Sequence, residues 1–480
     1  MNATQSKEPK HPRWGRKLLF DSVLAAVVAL ASSVMAGQPN LPGDWPTYGN
    51  GPAHTGYFPG TLNGCPFALK WKVPISSAYI WQAAVAGGRV YFSVGYYYSA
   101  TTLRALDANT GLGLWTNNLA ALASVSPPTY DSGMVLLEQG NSAAVGNLSY
   151  LTSYDATTGN TNWASTFISQ GYRYMAPVVG GGMIFTDTGY YHGLTGFDQN
   201  SGGQQWFVQL GGSEQWAPAC YNGNVYTWLG SFTEWDPPTG NANWTVTNGL
   251  SGAASTRTVA IADNRAYFIG DQLYCVDLGT KTNAWAVSGG FSGTPAVANG
   301  IVYAISGKVV NAYTTNGVFV RTYNTPTYYE ALTGQLIVTD DVLIVDGAYG
   351  VYVYNLADGR ILQLISSLGP GYIYYGSTIS LANNTLYIAS TDGNFYAYAA
   401  TPTSAITVKN VARLADGSFQ FSFTNTPGAS FSALASTNVS SPSSNWTALG
   451  TMTEVSPGQY QFTDPQAATN AQRYYRVSAP

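Results

Sequence analysis

The chain has 480 residues, of which only 9% are charged, and a formal net charge of −4. This length supports two or more domains, and the many glycines (53) and tyrosines (35) favour short strands and tight turns over helices. There is no long charge run, and no basic face with interleaved aromatics beyond residue 17. The composition therefore excludes nucleic acid as a partner.

Residues 1–36 have the pattern of a secretory signal peptide. Five Lys or Arg residues within the first 17 precede the apolar run LLFDSVLAAVVALASSV, which closes on small residues around Met35. An uncleaved anchor helix is the alternative, but Asp21 and the short apolar core weaken it. No cysteine directly follows the run for lipid attachment. We therefore expect a secreted or periplasmic protein that is not membrane-anchored after cleavage.

An aspartate and a tryptophan eight residues apart recur five times, as in LTSYDATTGNTNW at residues 151–163. Weaker copies at Thr314 and Asn355 and a half-copy that ends near Ala399 extend the series. Eight units with a period of about 40 residues indicate a radial repeat or a solenoid.

Each unit contains four short strands separated by tight turns, which is the pattern of a β-propeller blade. In the Asp-x-x-Thr-Gly turn, the carboxylate can accept hydrogen bonds from backbone N–H groups one to three residues ahead. The tryptophan follows on the outer strand, where a large buried ring can pack between neighbouring blades. We interpret both as structural blade fasteners rather than a catalytic array: Asp107 and Trp115, Asp155 and Trp163, Asp198 and Trp206, Asp236 and Trp244, Asp277 and Trp285.

The last unit lacks an outer strand with a tryptophan, whereas FALKWKVP near the N-terminus is an orphan strand that carries Trp71. That strand would complete the eighth blade, and Trp71 would be a further fastener. The sequence thus predicts an all-β fold, an eight-bladed β-propeller of four-stranded blades over residues 67–401. An N-terminal extension over residues 37–66 precedes it.

The repeat grammar A-x-D-x-x-T-G-x-x-x-W and the stretch DWPTYGNGPAHTG at residues 44–56 resemble the pyrroloquinoline-quinone-like (PQQ-like) repeat propellers. The resemblance covers roughly residues 44–401 and implies the propeller fold. It does not choose a function, because that family contains quinoprotein dehydrogenases and non-catalytic scaffolds alike.

After residue 401 the repeat grammar stops. Residues 402–480 contain stretches of alternating apolar and polar residues such as FQFSF and RYYRVSA, which predict a small β-sandwich. This region resembles the immunoglobulin- or fibronectin-type modules that end many secreted bacterial proteins. Spacing, adhesion and sorting all remain open as its role.

The loops that lead into the innermost strands are expected to form one mouth of the propeller channel, where propellers usually bind ligands. Their aromatic, polar and charged residues can receive a flat or apolar ligand or a partner, and the alternative is that they plug the channel. The predicted mouth residues are Trp81, Gln82, Tyr174, Met175, Trp216, Arg257, Glu330 and Tyr375.

A quinone dehydrogenase would need more than these mouth residues. The family resemblance implies a cofactor stacked on a channel tryptophan, usually beneath a disulfide of adjacent cysteines, with a calcium ion held by oxygen ligands. Cys65, Cys220 and Cys275 are not adjacent, and Glu330 is the one acid placed near the mouth. We predict no catalytic residue, metal or cofactor. Two buried thiols at Cys220 and Cys275, or a single disulfide, both remain open.

The function predicted from the sequence is a secreted, non-catalytic binding or scaffold protein whose propeller loops bind a protein partner. Its nearest functional analogue is the propeller component of the outer-membrane β-barrel assembly machinery. A PQQ- and calcium-dependent dehydrogenase is one alternative. A carbohydrate-binding propeller is the other, because tyrosines cluster at residues 95–99, 188–193 and 371–376. The sequence does not predict the oligomeric state.

Overall fold

The computed structural model describes residues 43–480 apart from short gaps. The gaps are 63–65, 78, 96–97, 143–147, 169–174, 188–192, 211–215, 253–257, 326–331, 348–349, 367–378, 401–405, 426–430, 440–445, 471 and 479–480. The predicted signal peptide lies outside the described residues. Within them, no helix has the length and apolar character needed to cross a bilayer.

The chain from residue 67 to residue 400 forms antiparallel four-stranded units. Unit 1 contains β2 (Ala84–Ala86), β3 (Arg89–Val94), β4 (Thr101–Asp107) and β5 (Gly113–Leu119). Unit 2 contains β6 (Leu122–Val125) and β7 (Thr129–Asp131), which both pair with β8 (Met134–Ser142), and then β9 (Leu148–Asp155) and β10 (Thr161–Ile168). Its first strand is thus split in two.

Units 3 to 5 repeat the simple order. Unit 3 contains β11 (Val178–Gly180), β12 (Met183–Asp187), β13 (Gly193–Asp198) and β14 (Gln204–Gln209). Unit 4 contains β15 (Ala219–Tyr221), β16 (Asn224–Trp228), β17 (Phe232–Trp235) and β18 (Ala242–Val246). Unit 5 contains β19 (Ala260–Ala262), β20 (Arg265–Ile269), β21 (Gln272–Asp277) and β22 (Thr282–Ser288).

Units 6 and 7 are joined by one parallel pair, Thr294 with Gln335, into a continuous sheet. Unit 6 contains β23 (Phe291–Ala298), β24 (Ile301–Ser306), β25 (Val309–Thr314) and β26 (Phe319–Asn324). Unit 7 contains β27 (Leu332–Val338), β28 (Val342–Gly347), β29 (Gly350–Asn355) and β30 (Ile361–Ser366). Unit 8 contains β31 (Ile379–Ala382), β32 (Thr385–Ala389), β33 (Asn394–Ala400) and β1 (Phe67–Pro74).

The pairing of β1 with β33 confirms that an N-terminal strand completes the last unit. Trp71 lies opposite Ala397, next to Tyr396. First strands of neighbouring units contact one another, as β2 does with β7 and β31, which places them at the centre. The all-β prediction is confirmed, and the four-stranded sheets are consistent with a β-propeller. The count of eight blades and the domain boundaries stay predictions.

Apolar clusters fill the space between neighbouring units. Because side chains alternate along a strand, Leu137 packs with Tyr91 of unit 1, whereas Leu136 packs with Ile184 and Phe197 of unit 3. Each inner strand is therefore buried on both faces, and each unit depends on its neighbours for its core.

The C-terminal region forms two antiparallel sheets. One contains β34 (Lys409–Arg413), β35 (Phe419–Thr424), β39 (Gln459–Asp464) and β38 (Thr453–Ser456), and the other contains β37 (Thr447–Thr451), β36 (Ser432–Ser436) and β40 (Tyr474–Ser478). A 3-10 turn spans Pro465–Thr469. Phe421, Phe423 and Tyr460 of the first sheet pack with Ala433 of the second. The likeness to immunoglobulin or fibronectin modules stays a prediction.

Candidate functional site

The aspartates of the repeat hold the turn that follows them. Asp155 Oδ1 accepts hydrogen bonds from the backbone N–H of Thr157 (3.0 Å), from the backbone N–H of Thr158 (2.7 Å) and from the Thr158 hydroxyl (2.9 Å). Bonds from the residue three positions ahead are the main reason that the pKa values of Asp107, Asp198 and Asp277 lie below the usual range. These carboxylates stabilise turns at the surface.

Each tryptophan of the repeat reaches the turn of the next unit. The Trp115 ring lies so close to Gly159 that a Cβ there would be 2.8 Å from the ring, and its indole N–H donates to Ala156 O at 3.2 Å. The same ring-to-glycine contact recurs in the pairs Trp71–Gly111, Trp163–Gly202, Trp206–Gly240 and Trp285–Gly317. The rings are half-buried, not fully buried as expected, because the outer strand leaves one side open to solvent.

Three units carry variations of this contact. At the turn of unit 5, Lys281 replaces the glycine with φ +59°, and its ammonium lies 5.7 Å from the centroid of the Trp244 ring. Arg321 of unit 6 lies beside Gly359. Gln363 of unit 7 bonds the backbone N–H of Phe67 at 2.6 Å and its carbonyl at 2.9 Å.

The sequence analysis missed Arg321 and Gln363. Both follow the β-bulge of the outer strand, where the other units have tryptophan, and both come four residues after the turn glycine, Gly317 or Gly359. That constant spacing is the signal that would have found them. In unit 6 the Tyr323 hydroxyl donates to Leu356 O at 3.2 Å, and so replaces the indole hydrogen bond.

The N-terminal segment, residues 43–58, runs along the central strands. Its carbonyls accept hydrogen bonds of 2.7 to 2.9 Å from the same N–H group of six units: Tyr130 to Pro46, Val85 to Trp45, Cys220 to Pro52, Ile261 to Ala53, Val297 to Thr55 and Val338 to Gly56. In unit 8, Asn383 N–H donates to Gly43 O at 2.9 Å. The segment thus ties together seven units through backbone contacts.

Two side chains of this segment are buried at the centre. His54 places Nδ1 2.8 Å from Tyr48 O and Nε2 2.9 Å from Pro218 O. Burial lowers the pKa of His54, although both carbonyl contacts raise it. The Tyr48 hydroxyl lies 2.8 Å from Thr294 Oγ1 of unit 6, and burial raises the pKa of Tyr48 to about 12. Both residues lock the segment in place.

The structure describes four of the eight predicted mouth residues. Met175 and Trp216 come together in one apolar cluster between units 3 and 4, where both are buried. Gln82 is buried and donates to Ile379 O at 2.6 Å, whereas Trp81 is half-buried and donates to Gly95 O at 3.0 Å. Tyr174, Arg257, Glu330 and Tyr375 lie outside the described residues, so a converging ring stays a prediction.

Trp216 does not offer a face on which a quinone could stack, because its side chain has no accessible surface. Glu330 lies outside the described residues. Among those described, no group of three or more His, Cys, Asp or Glu side chains could hold a metal ion.

The structure describes two of the three cysteines but few of the clustered tyrosines. Cys220 and Cys275 are free, buried thiols, and burial raises the pKa of both. Cys65 lies outside the described residues. So do the tyrosines of 188–193 and 371–376 and part of 95–99, so the carbohydrate alternative is untested.

The sequence analysis did not identify Glu138 as a buried acid. Glu138 of β8 is fully buried, and among the described residues neither of its carboxylate oxygens has a hydrogen-bond partner. Burial, with a smaller contribution from Asp187, raises its pKa well above the usual range. At the equivalent position of unit 1, Ser93 donates to Ser126 O at 2.6 Å. A glutamate inside the apolar strand MVLLEQGNS was the available signal.

Comparisons with known proteins agree with this fold. A family model for PQQ repeats, described as outer membrane protein assembly factor BamB, matches residues 68–165 and 99–323, more than half of the chain. BamB from Moraxella catarrhalis is 17% identical, over 70% of this chain and 100% of that one, with a TM-score of 0.56. None of the curated protein sequences matches significantly.

Two further solved structures share the architecture. A europium-containing methanol dehydrogenase is 12% identical, over 75% of this chain and 98% of that one, with a TM-score of 0.54. The computationally designed Ika8 protein is 14% identical, over 68% of this chain and 97% of that one, with a TM-score of 0.52. Identities this low show a shared fold alone.

Proposed function

This chain belongs to the PQQ-repeat propeller family described as outer membrane protein assembly factor BamB, and we propose that it is an exported, non-catalytic scaffold that binds a protein partner. It acts in the periplasm or at the cell envelope. Its binding surface consists of the turns and loops of the propeller, and it uses no cofactor.

The packing of the centre carries this proposal. A quinone enzyme needs a cavity beside a channel tryptophan, whereas Trp216 and Met175 are buried in an apolar cluster. The N-terminal segment fills the centre with His54 and Tyr48, both buried. Recognition is therefore assigned to the turns and loops of the propeller.

Exposed apolar residues at the outer turns support a protein partner. Val318 and Phe319 of unit 6 are 63% and 56% exposed, and Leu112 of unit 1 is 68% exposed. Unit 2 has exposed Asn160 and Asn162 at the corresponding turn. Neighbouring exposed apolar side chains such as Val318 and Phe319 favour a protein contact, and the aliphatic Val318 and Leu112 lack the flat faces that stack on sugars.

Site-specific photo-crosslinking tests the proposal. A photoreactive amino acid replaces Phe319 in one variant and Asn162, its control on a polar turn, in another. Irradiation of the native cell envelope should give one discrete protein adduct from position 319 and none from position 162. No adduct from position 319, or identical adducts from both positions, would contradict a partner at this surface.

A further inference from the structure

A cavity lies between units 3 and 4, beside the N-terminal segment, and part of its wall belongs to the apolar cluster that contains Met175 and Trp216. It has a volume of about 180 Å³ and is lined by Pro52, Phe185, Cys220, Val225 and Pro237 together with the hairpin turns of both units. None of the described lining residues is charged. Because an apolar cavity of about 150 Å³ holds benzene, this one has room for one branched aliphatic or aromatic side chain.

An unpaired backbone donor borders this cavity. In the β11–β12 hairpin, Gly180 pairs with Met183 across a two-residue turn, so the N–H of Val179 points away from β12 and toward the centre. The equivalent N–H in six other units, for example Cys220 in unit 4, donates to the N-terminal segment. Among the described residues, Val179 N–H has no acceptor.

The path of the N-terminal segment explains why unit 3 makes no hydrogen bond to it, whereas in unit 8 the segment accepts the Asn383 N–H instead. After Pro46 the segment turns inward, with Asn50 N–H bonded to Thr47 O at 3.2 Å and Gly56 N–H bonded to Gly49 O at 2.9 Å. It meets the central strands again at Pro52, in unit 4. Unit 3 is passed over, which leaves its donor facing the cavity.

Gly180 keeps the cavity wall open. A Cβ at this position would lie 3.0 Å from both Cβ and Sγ of Cys220, a separation that real Cβ atoms reach only when the neighbour shifts. The same hairpin position in other units carries a side chain: Ala86, Asp131, Tyr221, Ala262, Ala298, Thr339 and Ala382. Unit 3 thus combines a free donor with a missing side chain.

We infer that this cavity is a docking site for an extended segment of the protein partner, which accepts the Val179 N–H with a backbone carbonyl and inserts one branched aliphatic or aromatic side chain. The inference rests on the proposed function. The chain itself shows the chemistry, because six units already bind backbone carbonyls of an extended segment through the same N–H group. The uncharged lining disfavours a Lys, Arg, Asp or Glu side chain in the cavity.

Peptide titration of the purified, valine-labelled chain by amide NMR tests the site. The probes are three N-acetylated tripeptide methylamides, Ala-Leu-Ala, Ala-Lys-Ala and Ala-Gly-Ala. The leucine peptide should shift the Val179 amide with a Kd in roughly the millimolar range, at least tenfold tighter than the other two. The Val297 amide, which already donates to Thr55 O, should not move and serves as the internal control.

Filling the cavity gives the matched variant. Cys220→Leu should weaken the leucine-peptide response at least tenfold, and unchanged shifts at Val297 verify its fold. If that variant does not fold, the contrast between the three peptides on the natural chain decides. No shift at Val179, equal shifts with all peptides, or an undiminished response in a folded Cys220→Leu chain would overturn the site. If the photo-crosslink from position 319 forms but no peptide shifts the Val179 amide, this inference is refuted and the proposed function is retained.

Discussion

Units 1 to 5 and 8 carry a tryptophan at the outer-strand bulge, whereas units 6 and 7 carry Arg321 and Gln363 there. Both sets reach the neighbouring unit from the same backbone position. The tryptophans do so with a ring against a glycine, and Gln363 does so with two polar contacts to Phe67. The bulge and the neighbouring turn therefore define the contact, and side-chain type is secondary.

Units 6 and 7 also contact each other closer to the centre, where the contact does not depend on the missing tryptophan. They share the parallel pair Thr294–Gln335 and one apolar cluster in which Tyr323 packs edge-on against Tyr354, with ring centroids 5.8 Å apart. The outer strand of unit 6 carries no fastener ring of its own, and its Phe319 is exposed. Loss of the fastener coincides with the apolar surface that we assign to the partner.

The largest effect is expected from removing a fastener ring. Trp115→Ala should lower the free energy of unfolding by about 2–4 kcal/mol, somewhat less than for a fully buried tryptophan because the ring is half-buried. Phe319→Ala should change it by less than about 0.5 kcal/mol, as is usual for an exposed position. Urea titration measures both. Equal losses would show that the two sets of units do not differ as described.

The glycine side of the contact gives an effect of about the same size as the ring. Gly159→Ala should cost about 2–4 kcal/mol, because it combines a φ of +76° with a clash against the Trp115 ring. Gly181→Ala is the control: it has a φ of +62° with nothing within 4 Å, so it should cost about 1–2 kcal/mol. In a Trp115→Ala background the two glycine substitutions should become equal, and a persistent difference would contradict the ring contact.

Glu138 of unit 2 is a buried acid near Asp187 of unit 3. Between units 1 and 2 the equivalent position is Ser93, which has a hydrogen-bond partner. The folded-state pKa of Glu138 lies above the unfolded value, so its favourable contribution is present at low pH and is lost as pH rises through the folded pKa. Glu138→Gln should therefore stabilise the protein at pH 8 by about 1–3 kcal/mol, with the gain vanishing near pH 4.

Thermal unfolding across this pH range measures the effect. Glu234→Gln is the control, since Glu234 accepts hydrogen bonds from Tyr226 at 2.7 Å and Asn243 at 3.1 Å and its replacement should give no gain. A Glu138→Gln chain that is less stable than the natural one at pH 8 would show that the carboxylate has a stabilising partner.

The smallest effect concerns the substitute hydrogen bond of unit 6. Tyr323→Phe should cost about 1 kcal/mol, because it removes the donor to Leu356 O and leaves the ring packing in place. Urea titration is again the measurement. An unchanged free energy of unfolding would mean that unit 6 does not need a counterpart of the indole hydrogen bond.

The sequence predicts what local chemistry determines. The Asp-x-x-Thr-Gly turn forms its hydrogen bonds within four residues, so Asp155 and its equivalents could be recognised, and so could the orphan strand with Trp71. Arg321 and Gln363 could not be recognised by residue type, because their contact depends on a bulge and on the next unit. The path of residues 43–58 was also hidden, since its contacts use backbone carbonyls that any residue supplies.

Burial was the hardest property to predict at the candidate site. Trp216 and Met175 were predicted at a channel mouth, where they would receive a ligand or plug the channel. The structure buries both between units 3 and 4, and their place at the mouth stays a prediction. Glu138 lies inside an apolar strand, which was a signal in the sequence, but its burial is decided by tertiary packing. The cavity next to Val179 depends on Gly180 and on the path of the N-terminal segment, and that path is not visible in the residue pattern.

The central claim, that this propeller is a scaffold and not a quinone enzyme, is tested most directly by titrating the purified chain with PQQ and Ca²⁺. Absorbance, thermal stability and dye-linked oxidation of alcohols and sugars are followed in the same samples. We predict no saturable absorbance change, no rise in the unfolding temperature and no turnover. Saturable binding with turnover that disappears in a Trp216→Ala chain would contradict the account.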